Sequence, residues 1–157
     1  MTPKQILVMR HAEKPDDPRD PDLSDRGKIR AAKLADYVPT NLGVPDFLLA
    51  SALSKHSARP IETITPLSEK IGVTIDSTIA DQDYPVLAEE ILNDAKYEGR
   101  LVLVCWHHGN IPGLALALGA AGTNIPSPWN PSVFNLILNL RYDGGTIPVV
   151  TQIVEPF

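Results

Sequence analysis

Short apolar runs alternate along this chain with longer segments whose apolar residues recur at helical spacing, the pattern of strand, crossover helix and parallel strand. The first run, Gln5-Ile6-Leu7-Val8-Met9, is apolar without alternation, as suits a strand covered on both faces. Lys14 to Asp22 holds three prolines and four aspartates in nine residues and predicts an exposed loop. Ser24 then reads as an N-cap, and Ala31, Leu34, Ala35 and Val38 line one helical face until Pro39 ends it. Phe47 to Ala50 predicts a second strand. The next helix runs from about Ala58 to Ile71 and closes on Gly72, with Pro60 in its first turn and Pro66 forcing a kink or a restart capped by Thr65. Val73 to Ile75 reads as a short strand and Val86 to Ala95 as an amphipathic helix. Leu101-Val102-Leu103-Val104-Cys105 is the clearest buried strand, and a helix from Ile111 to Leu118 follows it. Val133 to Tyr142 alternates Phe134, Leu136, Leu138 and Leu140 with Asn135 and Asn139, which predicts a strand with one wetter face. Asp143-Gly144-Gly145 turns it into Ile147 to Val154, a C-terminal hairpin.

These elements add up to an α/β fold, a three-layer sandwich whose mainly parallel central sheet is flanked by helices. The 157 residues, without internal repeat or long linker, predict a single domain over 1–157. Fourteen basic against 19 acidic residues give a net charge of −5, which lacks the positive field that nucleic acid requires. The lone Cys105 cannot form an internal disulfide, and no Cys/His spacing suits zinc. The apolar run from Ile6 is cut off by Arg10, well short of a signal-peptide core of about 7–15 residues. The longest apolar tract, Ile111 to Ala121, falls below the roughly 20 residues that span a bilayer. A soluble cytoplasmic protein with no membrane partner is the expectation.

The two best buried strands both run into histidine, as Met9-Arg10-His11 and as Cys105-Trp106-His107-His108. In an open parallel sheet ligands bind beyond the carboxyl ends of the strands, so imidazoles from both ends should meet in one crevice. Arg10 can address the same ligand as His11 only if the chain leaves the sheet there, because successive side chains of a strand point to opposite faces. Arg59 begins a helix just before Pro60. Guanidinium forks and imidazoles converging on one crevice suit a doubly charged tetrahedral oxyanion such as phosphate. Cys105 reads as a buried strand residue, and Trp106 and Trp129 as core or rim packing. The prolines among Asp16, Asp17, Asp20 and Asp22 argue for a solvated loop rather than a calcium site.

At these positions the sequence resembles the histidine phosphatase superfamily, which includes phosphoglycerate mutases and small phosphohistidine phosphatases. Leu7-Val8-Met9-Arg10-His11-Ala12-Glu13 is similar to its Arg-His-Gly signature, with Ala12 at the usual glycine. Leu23-Ser24-Asp25-Arg26-Gly27 resembles the opening of its first helix. Arg59-Pro60-Ile61-Glu62-Thr63 resembles its Arg-x-x-Gln-Thr element, with Glu62 at the glutamine. Val104 to Asn110 is similar to the strand that carries the second histidine. The resemblance implies phosphomonoester or phosphohistidine hydrolysis through a phosphohistidine on His11, with Arg10, Arg59 and His108 holding the phosphoryl group and no metal or cofactor. His108 is preferred over His107 because Gly109-Asn110 follows it and alternation turns His107 away. Larger relatives carry an acid between the arginine element and the second histidine. Asp83 is the choice for that proton donor, with Asp81 and Glu13 as alternatives. The stretch between Ser51 and Arg59 is longer than the family's usual spacing and holds Lys55 and His56. The substrate is a small phosphorylated metabolite or a phosphoprotein. A phosphoglycerate mutase-type transferase and a non-catalytic phosphoryl-binding module are the rival readings. An unpaired edge of the hairpin offers a route to a dimer.

Overall fold

A computed structural model describes residues 2–122 and 124–157. The first apolar run forms β1 (Gln5–Arg10), buried from Ile6 onward. Helix α1 (Asp25–Tyr37) starts at the expected cap, where the Ser24 hydroxyl accepts the Gly27 N–H at 3.0 Å. Pro39 does not stop the chain abruptly: α1 opens into a π turn over Val38–Leu42, closed by the Gly43 N–H on the Val38 carbonyl at 3.1 Å. After β2 (Phe47–Ala50) comes α2 (Arg59–Ile71), which ends on Gly72 in the left-handed conformation at φ 72°. That backbone is strained for a residue with a Cβ. Helix α2 runs through Pro66 as one element, and Thr65 caps nothing, because its hydroxyl donates to the Ile61 carbonyl at 2.7 Å. The chain continues through β3 (Ile75–Asp76), α3 (Tyr84–Asn93), β4 (Leu101–Trp106), α4 (Ile111–Ala117), β5 (Leu136–Arg141) and β6 (Val149–Val154).

The sheet has the order β3-β2-β4-β1-β5-β6. The first four strands in that order are mutually parallel, while β5 is antiparallel to β1 and to β6, so the chain is an α/β protein ending in a hairpin. Strand periodicity divides the core in two. Ile6, Val8, Val102 and Val104 pack on one face with Ile91 of α3 and Leu114 of α4. Leu7, Met9, Leu103 and Cys105 pack on the other with Leu34 of α1 and Leu67 of α2. The wetter face expected of β5 is absent. Ile137 and Leu138 feed opposite core clusters, and the buried Asn139 is satisfied by Gln5 Nε2 at 2.7 Å and Thr151 Oγ1 at 3.2 Å. Among the described residues no helix is long and apolar enough to cross a membrane.

The central pair positions the site. β1 and β4 run in parallel register from Gln5↔Leu101 to Arg10↔Trp106. They therefore end level with each other, and the next residues, His11 and His107, leave the sheet side by side. The His11 N–H donates to the Trp106 carbonyl at 3.1 Å, which ties the two exits together.

Candidate active site

β1 stops at Arg10, so strand alternation does not separate Arg10 from His11. Both are sealed from solvent, Arg10 at 1 % and His11 at 3 % exposure. His11 Nδ1 lies 2.7 Å from the Ala12 carbonyl oxygen. A carbonyl only accepts, so the ring proton sits on Nδ1 and Nε2 keeps its lone pair. Burial drives the His11 pKa down to about 3, with help from the nearby His107, Arg10 and Arg59 and against the pull of the Ala12 bond. The imidazole is therefore neutral at physiological pH.

The two arginines are anchored but not saturated. Arg10 Nη1 donates to the carbonyls of Pro131 at 2.7 Å and Val133 at 3.1 Å, and its guanidinium carbon lies 3.8 Å from the Phe134 ring centre. Arg59 Nη1 donates to the Asp20 carbonyl at 2.8 Å. Arg10 Nε and Nη2 and Arg59 Nε are buried with no partner among the described residues. Burial and then the neighbouring Arg59 charge hold the Arg10 pKa down to about 10. Buried donors without acceptors are costly to maintain, and these are chemically suited to receive an anion.

Alternation does not turn His107 away as the sequence suggested. His107 stands against His11, ring centres 5.2 Å apart and nearly edge to face, whereas His108, also half-buried, is the less deeply enclosed of the two. Alternation failed as a guide because β4 ends at Trp106. Residues 107–110 form a turn, closed by the Asn110 N–H on the His107 carbonyl at 3.1 Å. The two aspartates expected near the site stand in different places. Asp83 is exposed at the start of α3, while one Asp81 oxygen accepts from Asn110 Nδ2 at 3.0 Å and the other is buried without a partner among the described residues. Asp81 is also the carboxylate whose charge acts on His107.

Glu13 orients the loop and is not free for proton transfer. Arg30 grips its carboxylate through two bonds of 2.9 and 3.0 Å, and Arg26 adds a contact at 3.2 Å. Burial opposes its ionisation, but these cations outweigh it and the pKa is lowered. The Glu13 carbonyl accepts from the Ser24 N–H at 3.0 Å and hydroxyl at 3.1 Å. A Cβ at Gly27 would collide with that carbonyl oxygen, which explains glycine there. On the other side the Ala12 N–H donates to Thr63 Oγ1 at 2.8 Å, and Thr63 donates to the Arg59 carbonyl at 2.7 Å. Glu62 does what a glutamine oxygen would do, accepting the Leu23 N–H at 2.9 Å.

No protein-family model and no curated protein matches the sequence. Solved structures do. The protein histidine phosphatase SixA, solved with tungstate, superposes with a TM-score of 0.73 at 15% identity, covering 96% of each chain. A mycobacterial glucosyl-3-phosphoglycerate phosphatase, Rv2419c, solved with inorganic phosphate, gives 0.65 at 14% identity, covering 98% of this chain and 97% of its own. The chain has the histidine-phosphatase fold.

On this histidine-phosphatase frame a cleft of about 550 Å³ opens beside the pocket, lined by Arg59, Asp81, Gln82, His107 and the loop 52–57. Among the described residues no group of three or more His, Cys, Asp or Glu is gathered as a metal site. Three features escaped the sequence reading: Phe134 under Arg10, the Pro131 and Val133 carbonyls, and Arg30. Only Arg30 left a trace. It is a charged residue on the stripe that also carries Gly27, Ala31 and Leu34, and all four are buried.

Proposed function

We propose that the protein is a phosphomonoester hydrolase that works through a phosphohistidine on His11. One observation carries this reading: a buried imidazole with a free Nε2 lies near two anchored arginines that keep unspent N–H groups. His11 Nε2 attacks phosphorus as the bond to the leaving oxygen breaks. The charge that develops on the imidazole is shared with the Ala12 carbonyl through Nδ1–H. Arg10, Arg59 and His107 hold the equatorial oxygens, so fixed donors meet the transferring charge without reorganising. Asp81, across the cleft, gives its proton to the departing oxygen. Water, giving a proton back to the Asp81 carboxylate, then attacks the phosphohistidine, releases inorganic phosphate and restores both the neutral ring and the acid. Splitting one displacement into two is the advantage of a covalent intermediate. This assignment moves the second-histidine role from His108 to His107 and the acid role from Asp83 to Asp81.

The test is direct. Brief incubation with a labelled aryl phosphate, followed by an alkaline denaturing quench, should leave acid-labile label on His11. His11→Ala should lose both label and turnover, and chelators should change neither in the native protein. Full activity in His11→Ala would end the proposal. Transfer of the label to an added hydroxyl acceptor in preference to water would make the protein a mutase.

A further inference from the structure

The segment between β2 and α2 closes on itself. The Ser54 N–H donates to the Ser57 carbonyl at 3.1 Å, and the Ser57 N–H returns to the Ser54 carbonyl at 3.3 Å. The Ser54 hydroxyl accepts the N–H groups of His56 at 3.3 Å and Ser57 at 3.1 Å. On its flanks the Ala52 N–H bonds the Ile79 carbonyl at 2.8 Å, and the Arg59 N–H bonds the Ser57 hydroxyl at 3.2 Å. A loop fixed on both sides holds its tip residues, Lys55 and His56, exposed and in place.

This loop forms one wall of the cleft of about 550 Å³, and Ala80, Asp81 and Gln82 form the other. Arg59 and His107 line both the cleft and the phosphoryl pocket. A group attached to phosphorus on the leaving side therefore extends into the cleft, whose volume suits a small molecule. Its lining is rich in donors: Lys55, Arg59, His56 and Gln82. The one carboxylate in the lining, Asp81, already spends an oxygen on Asn110. Lys55, exposed at the rim of the cleft, is placed to meet a negative charge on the leaving group. A phosphohistidine on a folded protein would have to reach a nucleophile only 3 % exposed.

We infer that the cleft receives the leaving-group end of a small phosphomonoester that carries a second anion, a carboxylate or another phosphate, and that Lys55, with His56 beside it, selects for that anion. The inference rests on the hydrolase reading, so its test separates the two. In His11→Ala protein, where no turnover interferes, calorimetry compares 3-phosphoglycerate, glycerol 1,3-bisphosphate and glycerol 3-phosphate. At least one of the two doubly anionic ligands should bind about tenfold tighter than glycerol 3-phosphate, as expected when a bond to a charged group is added. Which one does so distinguishes carboxylate from phosphate. Lys55→Met in that background should bring the ratio close to one, and Lys55→Arg should restore it. No preference, a preference that survives Lys55→Met, or tighter binding of a phosphohistidine-bearing protein would overturn the inference. Turnover of the same compounds by protein with His11 intact reports on the hydrolase reading alone. Lys55-dependent binding without any turnover would sink the hydrolase and leave the subsite standing.

Discussion

Replacing Arg30 by methionine tests how the loop of residues 11–13 is held. The Arg30 side chain is 7 % exposed and joins Glu13, at 2.9 and 3.0 Å, to Glu155, at 2.9 Å. It also donates to the Phe157 carbonyl at 2.6 Å. Methionine keeps much of the volume and removes the charge. Glu13 would keep only the exposed Arg26, a type of contact worth less than about 1 kcal/mol. Glu155, its side chain 1 % exposed, would have no cation among the described residues. Removing one partner from a buried ion pair costs roughly 3–5 kcal/mol, because a desolvated charge is left behind. Burial already pushes the Glu155 pKa up to about 7, despite Arg30, so this carboxyl takes up a proton readily and holds the loss near the lower figure. For a chain of this length the expected fall in Tm is roughly 6–12 °C. Urea and thermal unfolding of Arg30→Met measure the loss, and adding Glu155→Gln should return about 1–2 kcal/mol of it through their coupling. A loss below about 1 kcal/mol for Arg30→Met alone would refute the claim that this guanidinium holds the two carboxylates.

The buried His11, with its pKa near 3, should keep neutral-form ring resonances from pH 8 down to about 5 in an NMR titration, and a midpoint near 6.5 would contradict the burial argument. Stability against pH carries a second signature. His11 has a folded pKa below its unfolded value of 6.5, so its contribution is lost as pH falls from 6.5 toward 3. Glu155 has a folded pKa raised from 4.5 to about 7, so its contribution is full below 4.5 and lost as pH rises through 7. The two oppose each other between those limits, and Glu155→Gln should unmask a loss of roughly 2 kcal/mol between pH 6.5 and 5, read from urea midpoints; a level profile in the variant would count against it. His107→Ala should lower kcat/KM about 100-fold, by analogy with removal of one preorganised donor, while His108→Ala costs far less. The reverse order would return the second-histidine role to His108.

The frame was legible because its signals are local. Unbroken apolar runs marked β1 and β4, Ser24 marked the start of α1, and Gly72 marked the end of α2. That Arg10, His11 and Arg59 come to one place was legible because each stands at the junction of an element with a loop at the sheet's carboxyl edge. The placement of His107 beside His11 was not legible for a physical reason: side-chain parity holds only while the backbone stays extended, and β4 ends one residue earlier. Asp81 and Asp83 sit on the same 3-10 turn, where two positions rotate a side chain from the pocket to solvent, and composition carries no trace of that rotation. The Glu13–Arg30–Glu155 ion set joins residues from opposite ends of the chain, so no sequence window contains it.

The sheet order also bears on how the protein is made. Of the six strands of this sheet β1 is synthesised first, yet both its neighbours, β4 and β5, come after residue 100. Ile6 to Met9, each fully buried at the end, must wait without an edge to pair with until residues 101–106 have been translated. Pairings so distant along the polymer close slowly and leave sticky apolar surface open to aggregation or chaperone capture. A ribosome stalled before β4 would hold a fragment with neither the central strand pair nor the second imidazole. Translation must therefore run at least that far before the surroundings of His11 can form.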